Sequence, residues 1–150
     1  MPDLSARSGD EADSEEAYAY FRVEADVLPL EEITEAFGLQ PTEWWRKGDV
    51  GQYAKQRPDS GWCLHSPLPR TNLRIDEHVE ALLPLLEEHA RIVCELGERF
   101  DTYVECVGRF SKSSPEFFLS KAVIRRLGLL GLALDCDLHF YTSPHRGRAR

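Results

Sequence analysis

This chain of 150 residues lacks the sequence signatures of the common catalytic and metal-binding sites. It contains no glycine-rich phosphate loop, no nucleophile elbow and no HExxH pair. Its four cysteines are far apart and form neither a CxxC pair nor a cysteine–histidine cluster of zinc-finger spacing. We therefore predict reduced thiols packed as small apolar groups, no cofactor and no catalytic residue.

The chain also lacks an excess of basic residues and any long apolar run. Its 26 acidic side chains outnumber 18 basic ones, which gives a net charge of −8. Such a surface repels nucleic acid and anionic membranes and suits basic partners. No stretch approaches membrane-spanning length, and the N-terminus lacks the basic start and apolar core of a signal peptide. The sequence predicts a cytoplasmic protein that binds neither nucleic acid nor membrane.

The length predicts one domain with a self-sufficient core. Residues 1–16 are mostly Ser, Asp, Glu, Ala and Gly, a composition that cannot bury enough surface to offset its ordering entropy, so we predict a disordered acidic tail. Residues 143–150 form a basic tail with three arginines. A single domain is expected between them, over residues 17–142.

Hydrophobic periodicity predicts the elements of this domain. Residues 17–25, 61–66, 102–110 and 133–141 alternate as strands do, and residues 117–119 could add a short edge strand. The longest helical pattern covers residues 73–100, where Pro84 predicts a kink or two abutting helices. Strands polar on one side argue for an antiparallel or mixed sheet of about five strands with helices packed on one face. The predicted class is a two-layer α+β domain.

Residues 31–49 join a short helix, which Gly38 and Pro41 close, to a segment with two of the three tryptophans. Alternation sends Trp44 and Trp45 to opposite faces, so one indole should be core and the other exposed or in a cleft. Trp62 should point inward from its own strand. The candidate ligand-binding residues are Trp45, Arg46, Lys47 and Trp62, which could form an aromatic and basic wall for an anionic or planar ligand, although large aromatics in a small domain can equally be core.

Two other patterns carry candidate chemistry. Asp135, Asp137 and His139 share one face of the last predicted strand and could bind a divalent metal, but successive side chains lie about 7 Å apart there and a solvated strand face must be polar anyway. Cys63 and His65 share a face of another strand and could act as nucleophile and base, but no third orienting group is identifiable. We favour the structural interpretation for both.

Several blocks of the chain resemble a bacterial family catalogued as domain of unknown function 4279. The blocks run in the same order over roughly residues 17–141: EIT through GL and PT at 32–42, WRKGD at 45–49, GW at 61–62, SPL at 66–68, an amphipathic stretch from 77, ECVG at 105–108, and 127–135. Leu28 departs from the acidic residue that this family tends to have before the proline. The resemblance implies an architecture and no catalytic residue.

An acidic single domain without a catalytic motif fits a non-enzymatic module that binds another protein better than it fits an enzyme. Small acidic bacterial proteins of this kind include immunity proteins that neutralise toxins, so an immunity-like or regulatory role is an analogy. The alternative is a small-molecule or anion-binding protein, or an unrecognised enzyme, that uses the Trp/Arg wall at residues 44–62. A concave pocket of several hundred Å³ that encloses Arg46 and a tryptophan would favour that alternative, whereas a flat acidic or apolar patch would favour a protein partner. The sequence leaves open whether the chain forms a homodimer.

Overall fold

The computed structural model describes residues 14–141, apart from the side chain of Gln52, and shows one five-stranded sheet. Its strands are β1 (Glu16–Ala25), β2 (Glu43–Trp45), β3 (Ser60–His65), β4 (Asp101–Phe110) and β5 (Ala133–Phe140). They lie in the order β2-β3-β1-β4-β5, and all neighbours are antiparallel except β4 and β5, which are parallel. The mixed sheet confirms the predicted α+β class.

Four helices complete the fold: α1 (Leu30–Phe37), α2 (Ile75–Glu88), α3 (Ala90–Arg99) and α4 (Lys121–Leu129). They cover one face of the sheet, as predicted. None of the helices within residues 14–141 is both long and apolar enough to cross a membrane. The predictions for residues 1–13 and 142–150 lie outside the described residues.

The central strand β1 explains why the sheet has two unlike faces. Ala17, Ala19, Phe21 and Val23 alternate along it and are fully buried on the helix-covered face. The residues between them point to the opposite face, which we call the open face. Because β1 pairs with both β3 and β4, this alternation fixes which side chains of all three strands reach the core.

The long helical pattern forms two abutting helices, one of the two predicted outcomes. The helix does not break at Pro84, which lies inside α2, but at His89. Pro84 and Glu80 are both exposed. Because proline has no backbone N–H, the carbonyl of Glu80 has no donor at position 84. A freed carbonyl on the solvent side can bind water, so α2 tolerates the proline.

Two segments differ from the sequence prediction. Residues 117–119 form no strand, and Phe118 is 72% exposed. The neighbouring strand β4 is already paired on both edges, by β1 and β5, and offers this segment no partner. At the N-terminus, β1 begins at Glu16, and Glu15 accepts hydrogen bonds from the backbone N–H groups of Ser111 and Ser113 at 3.1 and 2.9 Å. The end of the predicted tail therefore belongs to the fold.

Candidate functional site

The first wall of the candidate site is α1. Leu30, Ile33 and Phe37 anchor this helix in the core, and Gly38, at a φ of 69°, ends it in the left-handed conformation. Glu31, Thr34 and Glu35 lie at helical spacing on an adjoining side of the helix and line a groove.

The second wall is β2, where the two adjacent tryptophans take opposite sides of the sheet. Trp44 pairs with Trp62 on the helix-covered side, whereas Trp45 pairs with Gly61 on the open face. Trp44 is 53% exposed and Trp45 is 5% exposed. One indole is thus buried and the other lines the groove, but the buried one, Trp45, lies on the open face and not in the apolar core cluster.

Together α1, the loop after it and β2 enclose an open groove of about 580 Å³. The lining residues are Leu30, Glu31, Thr34, Glu35, Gly38, Leu39, Gln40, Pro41, Trp44, Arg46 and Trp62. Trp62 is fully buried, where its ring stacks on Phe37 at 4.7 Å and its indole N–H donates to Thr34 Oγ1 at 3.0 Å. One wall is thus fixed by packing and a hydrogen bond to α1.

Arg46 is one of the lining residues of the groove. Its guanidinium donates to Glu31 and lies 5.3 Å from the centre of the Trp44 ring. The pKa of Glu31 is lowered, first by a hydrogen bond from its own backbone N–H at the start of α1 and then by Arg46. Since both side chains are largely solvent-exposed, this ion pair is weak and a ligand could displace it.

The other two candidate ligand-binding residues lie outside the groove lining. Trp45 lies on the open face between two guanidinium groups, with Arg22 Cζ at 4.7 Å and Arg57 Cζ at 4.1 Å from its ring centre. Lys47 pairs with Asp26, and its backbone N–H donates to Ser60 Oγ at 3.0 Å. The structure thus places Arg46 and Trp62 at the groove with Trp44, and it places Trp45 and Lys47 elsewhere.

Cys63 and His65 point to the open face, but their surroundings do not suit a nucleophile and its base. Burial raises the pKa of the Cys63 thiol to about 12, so the thiol stays protonated. The His65 ring stacks on Tyr20 at 4.9 Å, and burial, followed by the charge of Arg70, lowers its pKa. The buried thiol therefore lacks the lowered pKa of an activated cysteine nucleophile.

The acidic face of β5 contacts side chains of the neighbouring strand β4. Asp135 lies opposite Glu105, and burial together with Asp135 raises the pKa of Glu105 to about 7. His139 Nε2 is 2.9 Å from Asp137 Oδ1. In the part of the chain that the structure describes, no group of three or more His, Cys, Asp or Glu side chains is arranged to hold a metal ion.

The sequence interpretation missed four polar contributors to the groove, namely Glu31, Thr34, Glu35 and Gln40. The two glutamates carried a signal, because they share a helical side with Thr34 next to the apolar stripe. Which of the two tryptophans would border the groove depends on the pairing register of β2 with β3, which alternation alone does not fix.

A mixed five-stranded sheet with helices on one face and an open groove beside its β2 edge defines a small two-layer α+β domain. The chain belongs to the family described as domain of unknown function (DUF4279), whose model matches residues 15–141. No curated protein and no solved structure matches the chain. Family membership therefore supplies an architecture and no activity.

Proposed function

We propose that this protein is a non-enzymatic binding module that recognises another protein, and that the groove between α1 and β2 is its anchor site. The observation that carries this proposal is the pair of partly exposed side chains, Trp44 and Arg46, that stand together at the groove. Tryptophan and arginine are the residue types most enriched among those that dominate protein interfaces. A partner side chain that enters the groove would stack on the Trp44 indole.

The charges of the groove favour a basic partner. Its lining contains two carboxylates, Glu31 and Glu35, against the single guanidinium of Arg46. The whole chain has a net charge of −8 and attracts basic surfaces from a distance. A lysine or arginine side chain of the partner could pair with the glutamates and lie over the Trp44 ring. Such recognition fits a regulatory or immunity-like role.

A second candidate is a small-molecule site in the same groove, which has the several hundred Å³ beside Arg46 and a tryptophan that favour this alternative. About 580 Å³ falls within the roughly 300–1,000 Å³ of known ligand pockets. Its lining combines apolar groups such as Leu39 and Pro41 with a few polar ones, as such pockets do. A compact ligand with an apolar body and a polar end would suit it, and an anionic end would have to displace Glu31 from Arg46.

Affinity purification from the native host tests the proposal and separates the two candidates. Wild-type protein and the Trp44→Ala variant are used as baits, and both the retained proteins and the extracted small molecules are identified by mass spectrometry. We expect a protein that the wild type retains and the variant loses. Arg91→Ala, an exposed substitution on α3, is the control and should retain it. A small molecule that the wild type retains and Trp44→Ala loses would favour the second candidate. Identical recoveries from all three baits would refute the proposal that the groove is the binding site.

Arg46 gives an independent test once a partner is in hand. Because its side chain is 48% exposed and its ion pair with Glu31 is weak, Arg46→Ala should change the free energy of unfolding by less than about 0.5 kcal/mol. Binding should nevertheless weaken by at least about tenfold if Arg46 is a dominant contact. Titration calorimetry and urea melts measure the two quantities. If Arg46→Ala binds the partner as tightly as the wild type, Arg46 is not part of the binding site.

A further inference from the structure

Within the described residues, the outer edge of β5 is a long sheet edge that no other strand covers. The opposite edge strand, β2, has only three residues and lies between Pro41 and Lys47, which discourage strand pairing. In contrast, β5 has eight residues and contains neither proline nor lysine. Within residues 14–141, no strand pairs with its outer edge. Such an edge is a template for another strand.

The backbone groups available at this edge follow from the ladder with β4. The N–H of Tyr141 donates to the carbonyl of Phe110 at 2.8 Å, so the odd-numbered residues turn their backbone groups toward β4. The backbone N–H and C=O groups of the even-numbered residues, from Leu134 to Phe140, therefore point outward. They can form hydrogen-bonded pairs with an added strand.

The side chains around this edge are unusually apolar. Phe140 is 63% exposed and Leu134 is 37% exposed on the side of the sheet that elsewhere forms the core. Of the eleven exposed large hydrophobic residues in the described part of the chain, three lie on β5 or directly after it: Leu134, Phe140 and Tyr141. Exposed apolar side chains along an unpaired strand favour contact with another chain.

We propose that two copies of this chain pair antiparallel through β5, with the two-fold axis at Leu138. An axis perpendicular to the sheet joins the two five-stranded sheets into one and keeps all helices on the same side. Leu138 then lies opposite its own copy, and Cys136 lies opposite Phe140 of the second copy. On the open face, Asp137 meets His139 of the second copy, and Asp135 meets Tyr141.

Charge complementarity selects this register over its neighbours. An axis at Cys136 would place Asp135 opposite Asp137, and an axis at Asp137 would place that carboxylate opposite its own copy. Either arrangement sets like charges directly across the strands, which is unfavourable. An axis at His139 would oppose two imidazoles and align fewer residues. The axis at Leu138 gives every carboxylate of β5 a donor, and His139, already 2.9 Å from Asp137 of its own strand, would bridge both aspartates.

Light scattering on the full-length protein over the micromolar range tests the dimer. We expect dimer for the wild type. His139→Asp should raise the dimer dissociation constant by about tenfold or more, because it opposes two carboxylates at each of two symmetric positions. The double swap Asp137→His with His139→Asp should restore the dimer. Arg91→Asp, a charge change on exposed α3, is the control and should stay dimeric. A monomeric wild type, or a swap that restores nothing, would overturn the proposal.

Cysteine crosslinking tests the register, because a symmetric antiparallel pair sets only the axial residue against itself. In a Cys136→Ser background, Leu138→Cys should form a covalent dimer on oxidation far faster than Asp137→Cys. The background variant alone controls for the remaining thiols. Dominant crosslinking through the native Cys136, or through position 137, would contradict the axis at Leu138. Thermal melts of each variant confirm that it is folded before the comparison.

Discussion

Gly61 lies directly beneath the indole of Trp45, so closely that a β-carbon on Gly61 would fall 2.1 Å from Trp45 Cζ2. The two residues are cross-strand partners on β3 and β2, and the ring is held over the glycine between Arg22 and Arg57. Gly61→Ala must therefore displace the ring. We expect a loss of about 1–3 kcal/mol in the free energy of unfolding, the range for overpacking, measured by urea denaturation.

Gly128→Ala is the matched control for that substitution. Gly128 lies in α4, and a β-carbon there would meet nothing within 4 Å. Because alanine favours the helix over glycine, this variant should be more stable than the wild type by up to about 1 kcal/mol. If both variants lost stability equally, the contact between Gly61 and Trp45 would not explain the first result.

Truncation of Trp62 is predicted to cost far more stability than truncation of Trp44, although the two are paired on the same side of the sheet. Trp62 is fully buried and stacked on Phe37, so Trp62→Ala should cost about 3–5 kcal/mol. Trp44 is 53% exposed, and Trp44→Ala should cost much less. Urea melts measure both losses, and acrylamide quenching of variants with a single tryptophan should show Trp44 accessible and Trp62 protected. Equal quenching would contradict the assigned burial.

The sequence predicted most of the fold because single strands and helices report their own periodicity. The alternation in β1 and β4 identified both segments as strands, and the apolar spacing of 73–100 identified the helical pair. The helix break was expected at Pro84 but lies at His89, because Pro84 shares the exposed side of α2 with Glu80, where a helix tolerates proline. The short strand predicted at 117–119 was wrong, because this segment leads into α4 and pairs with no strand in the described residues, even though β5 has a free outer edge. Which segments pair is a tertiary property that local sequence does not report.

The groove was harder to predict than the fold. Trp44 and Trp45 are adjacent and have the same local sequence. Only the register of β2 against β3 decides that Trp44 lies on the side of α1 and that Trp45 packs between Arg22 and Arg57. The β5 edge was likewise invisible, because its alternating pattern is the same for an edge strand as for a central one. Its exposure appears only when the strand order is known.

Truncation at the N-terminus should show that the domain begins at residue 14 and not at 17. Glu15 accepts hydrogen bonds from three backbone N–H groups, those of Ser111, Lys112 and Ser113, and these bonds lower its pKa. A chain spanning 14–142 should therefore melt at a higher temperature than one spanning 17–142, by differential scanning calorimetry. Glu15→Gln in the longer chain should lose part of the difference. Identical melting temperatures would show that the hydrogen bonds of Glu15 to the loop after β4 do not stabilise the domain.

The last prediction concerns Glu105, which makes stability fall as pH rises. Burial, then the hydrogen bond and charge of Asp135, raises the pKa of Glu105 from its ordinary 4.5 to about 7 in the folded state. The folded protein thus binds this proton more tightly than the unfolded chain does, so the stabilisation is complete below pH 4.5 and is lost as pH rises through about 7.

Glu105→Gln removes this titration while keeping the size of the side chain. We expect the variant to be more stable than the wild type above pH 7, with the advantage shrinking as the pH falls toward 4.5. Urea unfolding midpoints across this range measure the difference, which isolates Glu105 from the other titrating groups because those are common to both proteins. Glu98→Gln, on the exposed surface of α3, is the control. A difference between Glu105→Gln and wild type that stayed constant with pH would mean that Glu105 is not protonated in the folded protein near neutrality.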